Sequence, residues 1–327
     1  MAEAPCLLCP AWGRCYKGSR VGTVPWRTRV YLAVLPEKDF HDYSAGISHA
    51  VRNGYVRQPG PLRMLVSYYF CKDFDLDEML APLREHRELD LFADSGGFSA
   101  YTSGDPVELD GYMTWLKRWK HLFSCAAVLD VIGDAQATAV NTEIMLREVG
   151  HLVPVLPAFH VGEPWEFLDR WSSRVDYLAL GGMVPNYVSR TQLLDAWLVK
   201  AFSRMPATTR VHGFGLTRLS SLKKFPFYSV DSSSWSSYFR YGNFPLFDMR
   251  RGDFARMEPR SPKTMLPNLH LLREYGIETA DFLRTDINHP SAEERDAARA
   301  RITGGSVSSW LRVEEWLAQY KERKAAA

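Results

Sequence analysis

Polar and glycine residues break the chain at one recurring place, directly after short apolar runs. Asp94 follows Leu-Phe-Ala, Asp130 follows Ala-Val-Leu, His160 follows Ala-Phe, and Gly181 with Gly182 follows Leu-Ala-Leu; His212 and Gly213 lie in Arg-Val-His-Gly, and Asp231 follows Tyr-Ser-Val. In a parallel α/β barrel the C-terminal strand ends converge on one mouth, so residues far apart in sequence share a pocket there. Two carboxylates at such a mouth, Asp94 and Asp231, suit retaining substitution at an anomeric carbon: one attacks C1′, and the other protonates the leaving group and later deprotonates its replacement.

Asp94 opens Asp-Ser-Gly-Gly-Phe, residues 94 to 98. Gly96 and Gly97 would let a ligand approach backbone N–H groups beside Ser95, and Phe98 could stack on a flat ring, an arrangement suited to a nucleobase. The competing reading is a helix N-cap at Asp94 or Ser95 with a tight Gly-Gly turn; Asp231, before three serines, could likewise be a cap or an Asx turn. Asp130 and Asp134 could accept hydrogen bonds from the N–H and amino edge of guanine, or join Asp94 around Mg²⁺. His160 and His212 could contact a base edge, ligate a metal or be satisfied core residues. No P-loop is present, and Gly-Phe-Gly at 213 to 215 lacks the third glycine of the dinucleotide fingerprint, so neither ATP nor NAD is expected.

The elements that must position these residues follow from alternation of short β-branched or aliphatic runs with longer stretches of helical period. Strands are predicted at Val30 to Val34 or Leu62 to Tyr69, then at Leu89 to Ala93, Ala126 to Leu129, Val153 to Pro157, Tyr177 to Leu180, Arg210 to Gly213 and Phe227 to Val230. Helices are predicted at Asp75 to His86, Val107 to Phe123, Thr138 to Val149, Pro164 to Trp171 and Arg190 to Arg204, with further helices at Pro262 to Tyr275, Ala292 to Arg301 and Val307 to Lys321. Seven or eight such units fit a (β/α)₈ TIM barrel, with a doubly wound open sheet as the competing arrangement. The expected organisation is a Cys-rich N-terminal arm over residues 1–25, then a single barrel domain over 26–327 with a C-terminal helical tail.

The 327 residues, 46% hydrophobic and 24% charged, have an ordinary globular makeup. Apolar runs such as Phe123 to Ile132 fall short of the roughly 18 residues that span a bilayer, and no charged-then-apolar leader opens the sequence, so a cytosolic protein is expected. With 40 basic against 38 acidic residues, the net charge of +2 neither favours nor excludes nucleic acid, and only local clusters could. These are Lys117, Arg118 and Lys120; Lys223 and Lys224; and Arg250 and Arg251, each either a phosphate contact or a solvated helix face. All five cysteines precede residue 126. Cys6, Cys9 and Cys15 have partial metal-knuckle spacing and would need Cys71 or a histidine to complete a structural zinc site; free thiols are the alternative.

Taken together and in order, these motifs resemble the transfer-RNA guanine transglycosylase superfamily, and within it the branch that inserts 7-deazaguanine bases into phage and bacterial DNA. The resemblance runs from about Asp94 to Trp235. It implies that Asp94 is the acid/base, that Phe98 sandwiches the base and that Asp231 is the nucleophile. It further implies that Asp130 reads the guanine edge, that Gly181 and Gly182 touch the base, that the His212-Gly213 loop covers it, and that His160 lies near a base-reading position. The tRNA enzymes carry a Cys-rich zinc site shortly after the nucleophile, whereas this chain has no cysteine beyond Cys125; the departure favours DNA over tRNA. The implied activity is a pentosyltransferase exchange of guanine for a free base such as 7-cyano-7-deazaguanine, with no cofactor needed for the chemistry, and with an accessory duplex-opening protein as a candidate partner. The expected setting is the cytoplasm of a bacterial or phage-infected cell. A retaining nucleoside or glycoside hydrolase would use the same carboxylate pair, and the oligomeric state is not legible.

Overall fold

The computed structural model describes residues 27–34, 37–56, 60–183 and 190–326. The arm over 1–25, with Cys6, Cys9 and Cys15, lies outside the described residues. The apolar runs form nine parallel strand segments: β1 (Arg29–Val34), β2 (Leu62–Ser67), β3 (Leu89–Asp94), β4 (Phe123–Ala127), β5 (Val155–Leu156), β6 (Ala158–His160), β7 (Tyr177–Gly181), β8 (Arg210–Gly213) and β9 (Ser229–Ser232). Their order is β5-β4-β3-β2-β1-β9-β8-β7-β6. The two ends of that order, β5 and β6, are halves of one run divided by Pro157, which has no N–H to give to a ladder. The Pro157 carbonyl accepts from Ala179 N at 2.8 Å on the β7 side, and the Leu156 carbonyl accepts from Val128 N at 3.0 Å on the β4 side. The sheet therefore closes through Pro157, making an eight-position barrel. Both alternatives for the first strand, at 30 to 34 and at 62, are strands, which is how the count reaches eight.

Helices return the chain between strands: α1 (Glu37–Arg52), α2 (Tyr68–Cys71) with α3 (Leu76–Arg84), α4 (Gly97–Ser103) with α5 (Leu109–Trp119), α6 (Ala135–Glu148), α7 (Trp165–Ser172), α8 (Thr191–Arg204) and α9 (Leu219–Lys224). After β9 the sequence expectation needs correction. A 3-10 turn (Ser234–Ser236), α10 (Ser237–Tyr241), an antiparallel hairpin of β10 (Phe244–Asp248) and β11 (Asp253–Met257), then α11 (Pro262–Met265), a 3-10 turn (Leu266–Asn268), α12 (Leu269–Glu274) and α13 (Asp281–Arg284) intervene before the last helix. The helix expected over 262 to 275 is thus broken at Pro267, while those expected at 292 to 301 and 307 to 321 are one, α14 (Ala292–Ala326). Packed on α1 and β1, α14 fills the eighth helical position of the barrel. Among the described residues no helix is long and apolar enough to cross a membrane.

Gly304 looks like a helix breaker but serves a close crossing. A Cβ there would lie 2.6 Å from the Gly46 carbonyl oxygen of α1, and a Cβ on Gly46 would lie 2.6 Å from Thr303 Cγ2. Gly304→Ala should therefore destabilise the protein. Helix propensity would gain about 1 kcal/mol, but a 2.6 Å approach to backbone puts overpacking at the upper end of about 1–3 kcal/mol, so the net loss is about 1–2 kcal/mol and the thermal midpoint should fall by a few degrees. An unchanged or raised midpoint would mean the two helices separate freely.

Strand parity decides which residues enter the barrel. Tyr31, Ala33, Leu65, Phe92, Cys125, Ala127, Leu156 and Tyr177 form the interior cluster, while their neighbours Leu32, Met64, Leu91 and Ala126 pack under the helices. Two residues beyond the interior positions Leu65 and Phe92 come Ser67 and Asp94; with Asp231 beyond Ser229, which meets Tyr177 and His212, they lie above a filled interior at the C-terminal mouth. At the opposite end Asp90 ties Arg63, Tyr31 and Ser124 together at 3.3, 3.0 and 2.7 Å, and Arg63 reaches Glu314 of α14 at 2.6 Å. That end reads as scaffold rather than chemistry.

Candidate active site

Asp94 ends β3 in register with Ser67. Its Oδ2 accepts the Gly96 N–H at 2.9 Å, and Ser95 Oγ accepts the Gly97 N–H at 3.2 Å, so the turn-forming reading of this motif is realised locally. Gly96 has φ 79°, and a Cβ there would overlap Tyr69. The carboxyl is pushed up to about 7, first by burial and then by the negative charges of Asp130 and Asp231, with the Gly96 N–H and the Ser67 hydroxyl opposing. A proton is thus shared between bound and free near neutral pH, the condition under which a group can both give and take it. Three carboxylates thus stand at one mouth: Asp94 and Asp231 at the ends of β3 and β9, and Asp130 in the loop after β4, facing Gly97.

Asp231 is held from two sides. Gly215 N donates to Oδ1 at 2.7 Å, and His212 Nε2 lies 3.3 Å from the same oxygen. A carboxylate oxygen accepts, so Nε2 carries the hydrogen, leaving Nδ1 to accept from Ser229 Oγ at 2.6 Å; Tyr177 Oη then donates to Ser229, also at 2.6 Å. His212 is fully buried and stacks on Phe92 with centroids 4.6 Å apart. It is an orienting residue beneath Asp231, and of the readings open to it in the sequence the buried, satisfied one holds. Gly213 is explained by packing, since a Cβ would lie 2.9 Å from the Phe227 ring.

The third carboxylate belongs to a closed network. His160 Nε2 is 2.9 Å from Asp130 Oδ2, its Nδ1 is 2.9 Å from Glu163 Oε1, and its backbone N–H donates to Glu163 Oε2 at 2.9 Å. Burial works against charge on the imidazole, but the bonds to Asp130 and Glu163 prevail and push it up to about 10. At neutral pH it is a cation between two acids. Glu163 was not anticipated; the signal was the His-x-x-Glu spacing, whose meaning depends on the loop turning back on the strand end. Three glycines make room here: a Cβ on Gly97 would lie 2.6 Å from Asp130 Oδ1, and one on Gly181 would lie 2.6 Å from His160 Cδ2, while Gly182 adopts φ 69°.

Two expectations change. Asp134 is exposed and caps α6, accepting the Ala137 N–H at 2.8 Å, so the trio suggested for Mg²⁺ is not assembled. Among the described residues no group of three His, Cys, Asp or Glu side chains is arranged to hold a metal ion. Phe98, by contrast, is 57% exposed at the start of α4 with Tyr101 beside it, leaving an aromatic face open to a flat ring at the rim.

No protein-family model matches the chain, and no curated protein matches it in sequence. Among solved structures, tryptophan synthase from M. tuberculosis in an open form is similar over 93% of this chain and 100% of that one, at 9% identity and a TM-score of 0.35. The barrel is defined by its own strand order and closure.

Proposed function

We propose that the protein is a base-exchange transglycosylase on nucleic acid, of the kind its motifs resemble. The observation that carries this is that Asp94 and Asp231 stand at the C-terminal ends of two strands of one parallel barrel, each held by a backbone N–H at its mouth; the upward shift of Asp94 to about 7 supports it. Asp231 attacks C1′ of a target deoxyguanosine: the bond from C1′ to the base breaks, an ester bond to the Asp231 oxygen forms, and the Asp94 proton leaves with guanine. A free 7-deazaguanine, such as the 7-cyano compound, then gives its N9 proton to Asp94, and N9 displaces Asp231 from C1′. The target must leave its stack first, at a cost of about a few kcal/mol. Phe98 stacks on the base and Asp130, oriented by His160, accepts from its edge. No redox or nucleotide cofactor takes part, and an accessory protein would be required only if duplex is the substrate.

DNA is preferred over tRNA because the segment after Asp231, where the tRNA enzymes carry a cysteine-bound zinc, here has no cysteine and folds as the β10–β11 hairpin with short helices. The test supplies labelled guanine or 7-cyano-7-deazaguanine with single-stranded DNA, duplex DNA and tRNA. Label is expected in DNA. Label in tRNA alone would keep the chemistry and move the substrate, abasic product without label would favour a hydrolase, and no reaction with any polymer would sink the reading.

A further inference from the structure

The basic pairs in the sequence are sorted by the fold. Lys224 turns outward to Asp195, and Arg118 lies over Trp119 on the outer face of α5. Lys223, Arg251, Arg256 and Arg218, by contrast, line one cavity of about 750 Å³ between the loop after β8 and the β10–β11 hairpin, with Asp253 as its acidic member. Gly215 lines the same cavity, and it is the Gly215 N–H that holds Asp231. The cavity is therefore next to the carboxylate assigned as nucleophile.

Its walls are fixed rather than loose. Asp248 Oδ1 accepts the Arg250 and Arg251 N–H groups at 2.9 and 3.2 Å, setting the hairpin turn. Gly252 takes φ 63° where a Cβ would overlap Trp316, and Lys223 Nζ donates to the Gly252 carbonyl at 3.2 Å while lying 4.6 Å over the Trp316 ring. Lys223 is thus the clamp that ties the hairpin to the barrel. Arg251 and Arg256 are exposed, the arms that the clamped hairpin presents. Arginine forks match phosphate oxygens in pairs.

We propose that this cavity binds a backbone phosphate of the nucleic-acid strand next to the target nucleotide, fixing C1′ over Asp231. The proposal rests on the transglycosylase reading for its ligand: an attached phosphate lies one sugar away from the C1′ that Asp231 must reach, and the cavity lies one residue's reach from Asp231. Phosphodiester is the shared chemistry of DNA and RNA, so both are tested.

The experiment measures binding of the full chain to an end-labelled single-stranded DNA and, separately, to unmodified tRNA, across a salt series and without any free base. Arg251→Ala/Arg256→Ala should weaken binding about tenfold near 0.1 M salt and lower the slope of log affinity on log salt by about 1–2. Arg250→Ala, one residue outside the cavity lining, should change affinity by less than about twofold, the lesser effect of a charge that makes no phosphate contact. The Arg251→Lys/Arg256→Lys pair, keeping charge but not the fork, should keep the salt slope and lose part of the affinity. A loss confined to DNA or to tRNA identifies the strand and supports the site. A double alanine variant that binds both polymers like wild type, an equal loss in Arg250→Ala, or no binding by wild type would overturn it. Because the readout needs no base exchange, a failed exchange assay leaves a positive result standing, and an active enzyme with unaltered binding in the double variant sinks only the phosphate site.

Discussion

Asp231→Asn is expected to lower base exchange by about four orders of magnitude or more, the scale on which loss of a covalent nucleophile registers. The substitution is chosen because the fold should not notice it: the amide oxygen still accepts the Gly215 N–H, and the stack of His212 on Phe92 beneath is untouched. What disappears is the anionic oxygen that must bond to C1′. Wild type incubated with DNA and no added base should form a protein–DNA adduct that survives denaturation, since the guanine released in the first step is the sole acceptor and is too dilute to return every adduct to DNA. Asp231→Asn should yield none. Retention of more than about 1% of wild-type exchange would exceed what loss of a nucleophile permits and would remove Asp231 from that role. His212→Phe separates orientation from chemistry: it keeps the ring packing but cuts the link from Ser229 to Asp231, and should slow exchange without preventing the adduct.

Much of this site was legible because strand parity and strand ends are local properties. Asp94, Asp231, His160 and His212 each follow or close an apolar run, and a period of two places them above Phe92, Ser229, Ala158 and the barrel interior. Asp134 misleads for a related reason: an acid just before a helical stretch is as good a cap as a ligand, and only the fold shows the Ala137 N–H in its grasp. Glu163 escapes a sequence reading because its partner is the strand end it has just left, and a turn rather than a period brings them together. The glycines at 97 and 181 stand out in the sequence, yet their purpose depends on what stands opposite; Asp130 and His160 occupy the space a side chain would need. Pro157 and Gly304 look like ends of elements. Gly304 instead sits inside α14, where two helices touch, and Pro157 separates β5 from β6 at the point where the barrel closes without an N–H. The hairpin after β9 leaves no strong alternation to follow, since β10, Phe-Pro-Leu-Phe-Asp, and β11, Asp-Phe-Ala-Arg-Met, each set two apolar residues side by side.

Asp94→Asn should do two opposite things, and pH separates them. Exchange should fall about a thousandfold, in the range that proton transfer contributes to such steps. Stability at pH 8 should rise. The carboxyl is held up to about 7 in the folded protein against 3.8 for the ordinary side chain, so the folded state binds the proton more tightly than the unfolded chain does. The stabilisation of the protonated form is therefore complete below about pH 3.8 and is lost as pH rises through 7. Above that the wild type carries a repelled carboxylate beside Asp130 and Asp231. A shift of this size corresponds to about 4 kcal/mol, reduced to about 2–4 kcal/mol because the group stands at an open mouth. The asparagine carries no such burden. Urea unfolding of both proteins at pH 5 and pH 8 should show the variant gaining on the wild type by about 2 kcal/mol between the two conditions, the part of the loss that falls in that window. His160 brings its own fall in stability, from 6.5 in the unfolded chain to about 10 in the fold, but it does so in both proteins, so their difference reports Asp94 together with its coupling to Asp130 and Asp231. Equal pH dependence in the two proteins would show that Asp94 is not a strained acid. A gain in stability coupled to a loss of exchange would show that the fold tolerates a poorly placed charge at this position because the reaction needs its proton there.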